Sequence, residues 1–183
     1  MKRTALLLLL LVIGTSVCYA EEQKEYFTNG NLKWEKNLKN GKQDGLTRWY
    51  YKSGSLQMEE NYSNGVLEGV WKVYYNNGQL KAETHYKNGE VDGLGRSFYK
   101  DGTLMETLNY KNGKQDGPTK AYDMKGGLRF ELFFKDGFPE GEVKKYHDNG
   151  KLQFLDIYKN KKRISRKAYD KNGKLVSTED FKD

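Results

Sequence analysis

KNGKQDG stands at residues 39–45 and again, letter for letter, at residues 111–117. The stretch joins an Asn-Gly pair to an Asp-Gly pair, which opens two readings. It is either a carboxylate loop for a cation, used twice, or a turn that the fold needs repeatedly. Aligned on Gly30, glycine recurs in the same context at Gly54, Gly78, Gly102, Gly126, Gly150 and Gly173, in steps of 24 residues with a last step of 23. Two positions after each comes Leu32, Leu56, Leu80, Leu104, Leu128, Leu152 and Leu175. The two copies of KNGKQDG lie three periods apart, so the chain is a tandem repeat, and repeats of this length mark arrays of one supersecondary unit.

With Tyr26 as position 1, that position holds Tyr26, Tyr50, Tyr74, Phe98, Tyr122, Tyr146 and Tyr169, and glycine returns at positions 16 and 20. Each unit carries two turn signals eleven residues apart, at positions 4–5 and 15–16. Asn-Gly and Asp-Gly tolerate the positive φ of a two-residue type I′ hairpin loop, so both sites are expected to be such loops. The segments between them are rich in Tyr, Trp, Val and Thr and too short for helices. The expected fold is all-β: an elongated, single-layer antiparallel meander of stacked β-hairpins, about thirteen strands with a 24-residue period.

Two-residue loops at both sites set a register. Around the first, position 2 pairs with 7, 24 with 9 and 23 with 10. Around the second, 13 pairs with 18, 9 with 22 and 7 with 24. Both put positions 2, 7, 9, 11, 13, 18, 22 and 24 on one face, which carries Tyr75, Leu80, Ala82 and Tyr86 in the third unit, with Trp71 and Val73 from the strand before. The opposite face carries Tyr74, Lys81, Glu83 and Lys87. One face is aromatic and the other charged, the alternation of half-buried strands. Cross-strand pairs Arg48–Glu59, Lys72–Glu83 and Lys120–Glu131 follow, each worth about 0.2–1 kcal/mol and serving register more than stability.

The first twenty residues stand apart. Lys2 and Arg3 precede nine apolar residues, Ala5 to Ile13, and Cys18-Tyr19-Ala20 closes the run. This has the form of a secretory signal peptide with cleavage expected after Ala20; the alternative is a lipoprotein anchored at Cys18. Residues 21–183 contain no cysteine, so pairing and packing must hold the exported chain without disulfides. Setting aside Lys2 and Arg3 leaves thirty Lys and Arg against twenty-five Asp and Glu, a net charge of +5 spread along the chain. Such a spread argues against a nucleic-acid surface.

Blocks such as YYKSGSLQMEENYSNGVLEG at 50–69 and YYNNGQLKAETHYKNGEVDG at 74–93 carry a family resemblance. The chain resembles the MORN family (membrane occupation and recognition nexus) and, more closely, its bacterial variant repeat, whose proteins are often labelled YwqK-type antitoxins. The resemblance covers residues 26–183. It implies a twisted sheet of stacked hairpins, which thirteen strands at ~4.8 Å would extend to a rod about 60 Å long. It also implies contacts with proteins or lipids. The sixth unit departs from the pattern at NKKRIS, residues 160–165, losing both glycines. Position 2 changes from Phe27, Tyr51, Tyr75 and Tyr99 to Asp123, His147 and Asp170. Terminal repeats are atypical because they cap the array.

Catalysis finds no constellation in this pattern. His85 and His147 lie at different positions of different units, and the acidic residues form a ladder rather than a converging pair. No catalytic, cofactor or metal site is expected. Position 19 is acidic at Asp44, Glu68, Asp92, Asp116 and Glu140, but one carboxylate per unit does not converge six to eight oxygens for calcium. KNGKQDG therefore reads as a turn. GLG at 93–95 lacks the third glycine of a dinucleotide loop. The run KNKKRISRK at 159–167 offers Lys159, Lys161, Lys162, Arg163, Arg166 and Lys167, either as protection of a late sheet edge or as a membrane or glycan contact.

The aromatic face is the informative feature. A single layer has nothing of its own to cover that face unless it curls, dimerises or binds something. Trp49, Tyr51, Trp71, Tyr75 and Tyr99 are the candidate partner-binding residues. The expected function is an exported, non-enzymatic platform for another protein. The alternatives are an envelope immunity protein that occludes a toxin, and a scaffold contacting lipid or glycan; a homodimer through the aromatic face is a further form of partner.

Overall fold

The computed structural model describes residues 7–11 and 18–181. The chain divides into two compact units, Met1–Glu90 and Val91–Asp183. In unit 1 the strands are β1 (Leu7–Leu11), β2 (Cys18–Tyr26), β3 (Leu32–Lys39), β4 (Lys42–Gln43), β5 (Gly45–Tyr50), β6 (Leu56–Ser63), β7 (Val66–Leu67), β8 (Gly69–Tyr74) and β9 (Leu80–Lys87). Unit 2 holds β10 (Glu90–Phe98), β11 (Leu104–Lys111), β12 (Lys114–Gln115), β13 (Gly117–Tyr122), β14 (Leu128–Lys135), β15 (Phe138–Tyr146), β16 (Leu152–Lys159), β17 (Lys162–Tyr169) and β18 (Leu175–Asp180). Every described pairing within each unit is antiparallel and joins strands that are neighbours in the chain or are separated only by the two-residue strands β4, β7 and β12, as the all-β meander requires. Of the expected N-terminal leader, residues 1–6 and 12–17 lie outside the described residues, while Leu7–Leu11 pairs with Cys18–Glu22 of β2.

The two turn sites fold differently, and one expectation is corrected. The turns at positions 15–16 are the expected two-residue loops: Asn40 and Gly41 have φ of 51° and 75°, Asn112 and Gly113 of 48° and 77°. At positions 4–5 only the glycine is left-handed, as at Gly30 with φ of 88°. There Gly30 N–H donates to the Phe27 carbonyl at 3.0 Å and Phe27 N–H to the Asn31 carbonyl at 2.8 Å. This is a three-residue loop with a glycine bulge, in which Asn29 needs no positive φ. Its side chain is used instead: Asn29 Oδ1 accepts from Asn31 N–H at 3.2 Å, and Asp101 and Asn149 repeat the contact.

Register shifts accordingly. Leu32, Leu56 and Leu80 stand opposite Tyr26, Tyr50 and Tyr74 rather than the expected position 2. A one-residue bulge at position 8 then restores the expected 24–9 and 23–10 pairs, such as Trp49↔Met58 and Arg48↔Glu59. Around the second turn the expected 9–22 pairing is overturned: Trp34 faces Trp49 and Glu35 faces Arg48. Asp44-Gly45, Glu68-Gly69 and Asp116-Gly117 are two-residue insertions, their glycines at φ of 97°, 82° and 119°. A left-handed glycine cannot continue a flat ladder, so the strand steps out there. Because the step is two residues, side chains return to the same faces.

Consecutive hairpins are tied at both edges. Gly65 N–H donates to the Gln43 carbonyl at 2.7 Å and Gly137 N–H to the Gln115 carbonyl at 2.8 Å. At four of the five position-20 glycines the preceding acidic residue caps the following turn: Asp44 accepts from Asn64 N–H at 3.0 Å, Glu68 from Asn88 at 2.8 Å, Asp92 from Asn112 at 3.0 Å and Asp116 from Asp136 at 3.3 Å. KNGKQDG is thus one type I′ turn plus the carboxylate that holds the next.

Candidate functional site: two faces and a basic edge

Two residue rows run across unit 1. One is Lys24, Glu35, Arg48, Glu59, Lys72 and Glu83, each directly opposite the next. Charges alternate along the whole row. Arg48 bridges Glu35 and Glu59, at 3.2 Å to each, so the expected Arg48–Glu59 pair is present and shares its arginine. Tyr50 donates to Glu35 at 2.7 Å and Tyr74 to Glu59 at 2.8 Å. Burial, then the bond to the carboxylate, pushes each tyrosine hydroxyl up to about 12. Burial alone would raise the Glu35 carboxyl; the donors Tyr50 and Arg48 outweigh it and hold it below the usual range.

The second row is Glu25, Trp34, Trp49, Met58, Val73 and Ala82. Trp34 and Trp49 meet at 6.3 Å, and the Trp71 ring meets Tyr86 edge-on at 6.5 Å. The Trp34 indole donates to Glu25 at 2.6 Å and the Trp49 indole to Glu60 at 3.0 Å, while Trp71 makes no such bond among the described residues. These rings stay half-buried. Among the described residues of unit 1 the one buried side chain is Thr47, 1% exposed, to which Gln43 Nε2 donates at 3.3 Å. Among the described residues of the chain, Ala168 is the only hydrophobic side chain classed as buried. One layer leaves its rings half in water.

Of the five candidate residues, Trp49, Tyr51, Trp71 and Tyr75 lie in unit 1 and Tyr99 in unit 2. Trp34 was not among them, although its position 9 already placed it on the aromatic face; the two-residue insertion at Asp44-Gly45 is what brings it against Trp49. Position 2 has a structural duty that its spacing does not announce. Tyr51 donates to the Tyr74 carbonyl at 2.8 Å and Tyr99 to the Tyr122 carbonyl at 2.9 Å, tying each unit to the next. His147 takes this place with Nε2 2.9 Å from the Tyr169 carbonyl oxygen. Asp123 and Asp170 instead accept from their own turns, at Lys125 and Gly127 and at Asn172 and Lys174.

The basic run is divided by the structure. Asp156, 6% exposed, accepts from Nε and one terminal nitrogen of Arg166, each at 2.7 Å, and lies 3.6 Å from Arg163. Burial works to raise its carboxyl, and the two guanidiniums outweigh that and hold it below the usual range. Arg166 also covers the Phe154 ring at 4.6 Å and Arg163 the Phe181 ring at 4.3 Å. Neither arginine is a loose surface cation, and the expected contact role falls to the lysines. The slip to a 23-residue period appears as a single inserted residue between Tyr158↔Arg163 and Ile157↔Ser165, where units with the glycine insert two.

A meander of hairpins laddered turn upon turn defines a β-repeat protein. Residues 43–64, 67–88, 91–112, 139–160 and 165–183 match the family described as the MORN repeat variant, together more than half the chain. The chain belongs to that family, whose repeats are non-catalytic modules that bind proteins or membranes. A comparison with curated proteins returned no match.

Proposed function

We propose that the protein is a binding platform for another protein, with the aromatic face of unit 1 as its contact surface. The observation that carries this reading is the Trp34–Trp49–Trp71 face, whose rings are half-buried, with the Trp34 and Trp49 indoles held by Glu25 and Glu60 and no second layer over them among the described residues of unit 1. Aromatic rings held rigid at little entropic cost are favoured at binding hot spots. The leader-like form of residues 1–20 supports a platform outside the cytoplasm, and cleavage after Ala20 is checked by the N-terminal sequence of the exported protein. A narrower form of the reading, supported by the resemblance to YwqK-type antitoxins, makes the partner a toxin occluded in the envelope.

Capture from envelope and secreted fractions of the host, read by mass spectrometry, tests the platform. A stoichiometric protein partner is expected, lost with Trp71→Asp and retained with Lys72→Asp. Equal capture by both variants overturns the assignment of the face. Protection of cells from a toxin that co-purifies separates the narrower form from the broader one.

A further inference from the structure

In unit 2 the turns at residues 111–116, 135–140 and 159–164 bring Lys111, Lys114, Lys135, Lys159, Lys161 and Lys162 to one edge, against the carboxylates Asp116, Asp136 and Glu140. In unit 1 the corresponding residues 39–44, 63–68 and 87–90 balance Lys39, Lys42 and Lys87 against Asp44, Glu68 and Glu90. The excess in unit 2 is exposed. Lys111 stands directly opposite Lys114 and Lys159 opposite Lys162, and like charges so placed repel; unit 1 has one such pair, Lys39↔Lys42. Lys161 adopts a φ of 67° at the position that is glycine in the other five turns, a left-handed conformation that costs a side-chain-bearing residue stability. Strain that folding does not need points to use. Beneath the Lys161 ammonium, 3.9 Å away, lies the ring of Phe138, 42% exposed.

We propose that this edge of unit 2 binds an anionic polysaccharide chain. Successive turns lie two strands apart, about 10 Å, comparable to a disaccharide of an extended glycan. Carboxylates repeated along such a chain meet successive lysine groups, and the exposed part of the Phe138 ring that Lys161 leaves open adds apolar surface for one sugar. A row one turn wide suits a chain better than a broad surface. The proposal concerns a different surface from the aromatic platform and stands or falls apart from it.

The test is binding of the full chain to immobilised polygalacturonate by biolayer interferometry. Binding that weakens with added salt is expected. Lys159→Gln/Lys161→Gln/Lys162→Gln together weaken it about tenfold or more, a shift set by losing three contacts, and Lys39→Gln/Lys42→Gln leave it unchanged. Circular dichroism melting checks that the triple variant folds; Lys114→Gln/Lys135→Gln provides a second, smaller loss without touching the left-handed residue. No binding to polygalacturonate, an equal loss in the unit 1 variant, or tighter binding to phosphatidylglycerol vesicles than to polygalacturonate overturns the proposal.

Discussion

Thr47 and Thr119 each follow a copy of KNGKQDG by two positions, and both are buried, at 1% and 7% exposure. In unit 1 the Thr47 hydroxyl accepts from Gln43, while in unit 2 the Thr119 hydroxyl has no hydrogen-bond partner among the described residues, although Gln115 stands at the equivalent place. The turns themselves match, with left-handed Asn and Gly in both copies. What differs is the company. Thr47 pairs with Glu60 beside Trp49, and Thr119 pairs with Leu132 beside Ala121. Identical local sequence secures a backbone turn, and non-identical neighbours decide how the side chains beyond it are seated.

Charge shows the same divergence. Unit 1 spreads its ion pairs along an alternating row, every member half in water. In unit 2 the equivalent row reads Arg96, Thr107, Lys120, Glu131, Lys144, Leu155 and Lys167, interrupted twice. Its firmest pair is instead Asp156–Arg166, on the other face. The largest expected effect tests this contrast. Asp156→Asn leaves two guanidiniums without their carboxylate and is expected to cost about 3 kcal/mol, as for a broken buried pair. Glu59→Gln, whose neighbours remain hydrated, costs about 1 kcal/mol or less. Urea midpoints compare the two, and equal costs would erase the distinction between a buried pair and a ladder.

Replacing the two threonines sharpens the first comparison. Thr119→Val removes an orphaned hydroxyl and is expected to stabilise by about 1 kcal/mol, whereas Thr47→Val loses a bond and destabilises by about 0.5–1 kcal/mol. Opposite signs in thermal melts are the signature. Lys161→Gly relieves the left-handed lysine and is expected to add about 1 kcal/mol, while Gly65→Lys in unit 1 costs a similar amount. The smallest effect is on pH. Tyr50, Tyr74 and Tyr146 are protonated donors to Glu35, Glu59 and Glu131, with hydroxyls raised from the ordinary 10.0 to about 12. The unfolded chain loses these protons first, so their contribution is full below pH 10 and fades as pH rises towards 12. Tyr50→Phe combined with Tyr74→Phe should flatten that decline in a melting series.

Much of the fold was legible because it rests on short-range chemistry. The period, the Asn-Gly loops at positions 15–16 and the separation of Trp71 from Lys72 follow from turn residues and alternation. The first turn was misread because Asn-Gly serves two loop types, and its Asn works there as a side-chain acceptor rather than through positive φ. Trp34 was overlooked for a related reason: its meeting with Trp49 depends on an insertion at Gly45 that alternation alone does not register. The duty of Tyr51 and Tyr99 was hidden too, since a hydroxyl reaching a carbonyl 23 residues on leaves no local mark.

By itself the sequence determined the repeat, the all-β meander and which residues share a face, because φ preferences and a two-residue side-chain period act within a few neighbours. Only the tertiary structure decided which residues stand opposite one another at position 7 and across the second turn, that Asp44, Glu68, Asp92 and Asp116 cap the next turn, and that Arg163 and Arg166 are held by Asp156. Those depend on how far each strand steps out at a left-handed glycine, a distance that is set between strands and not along them.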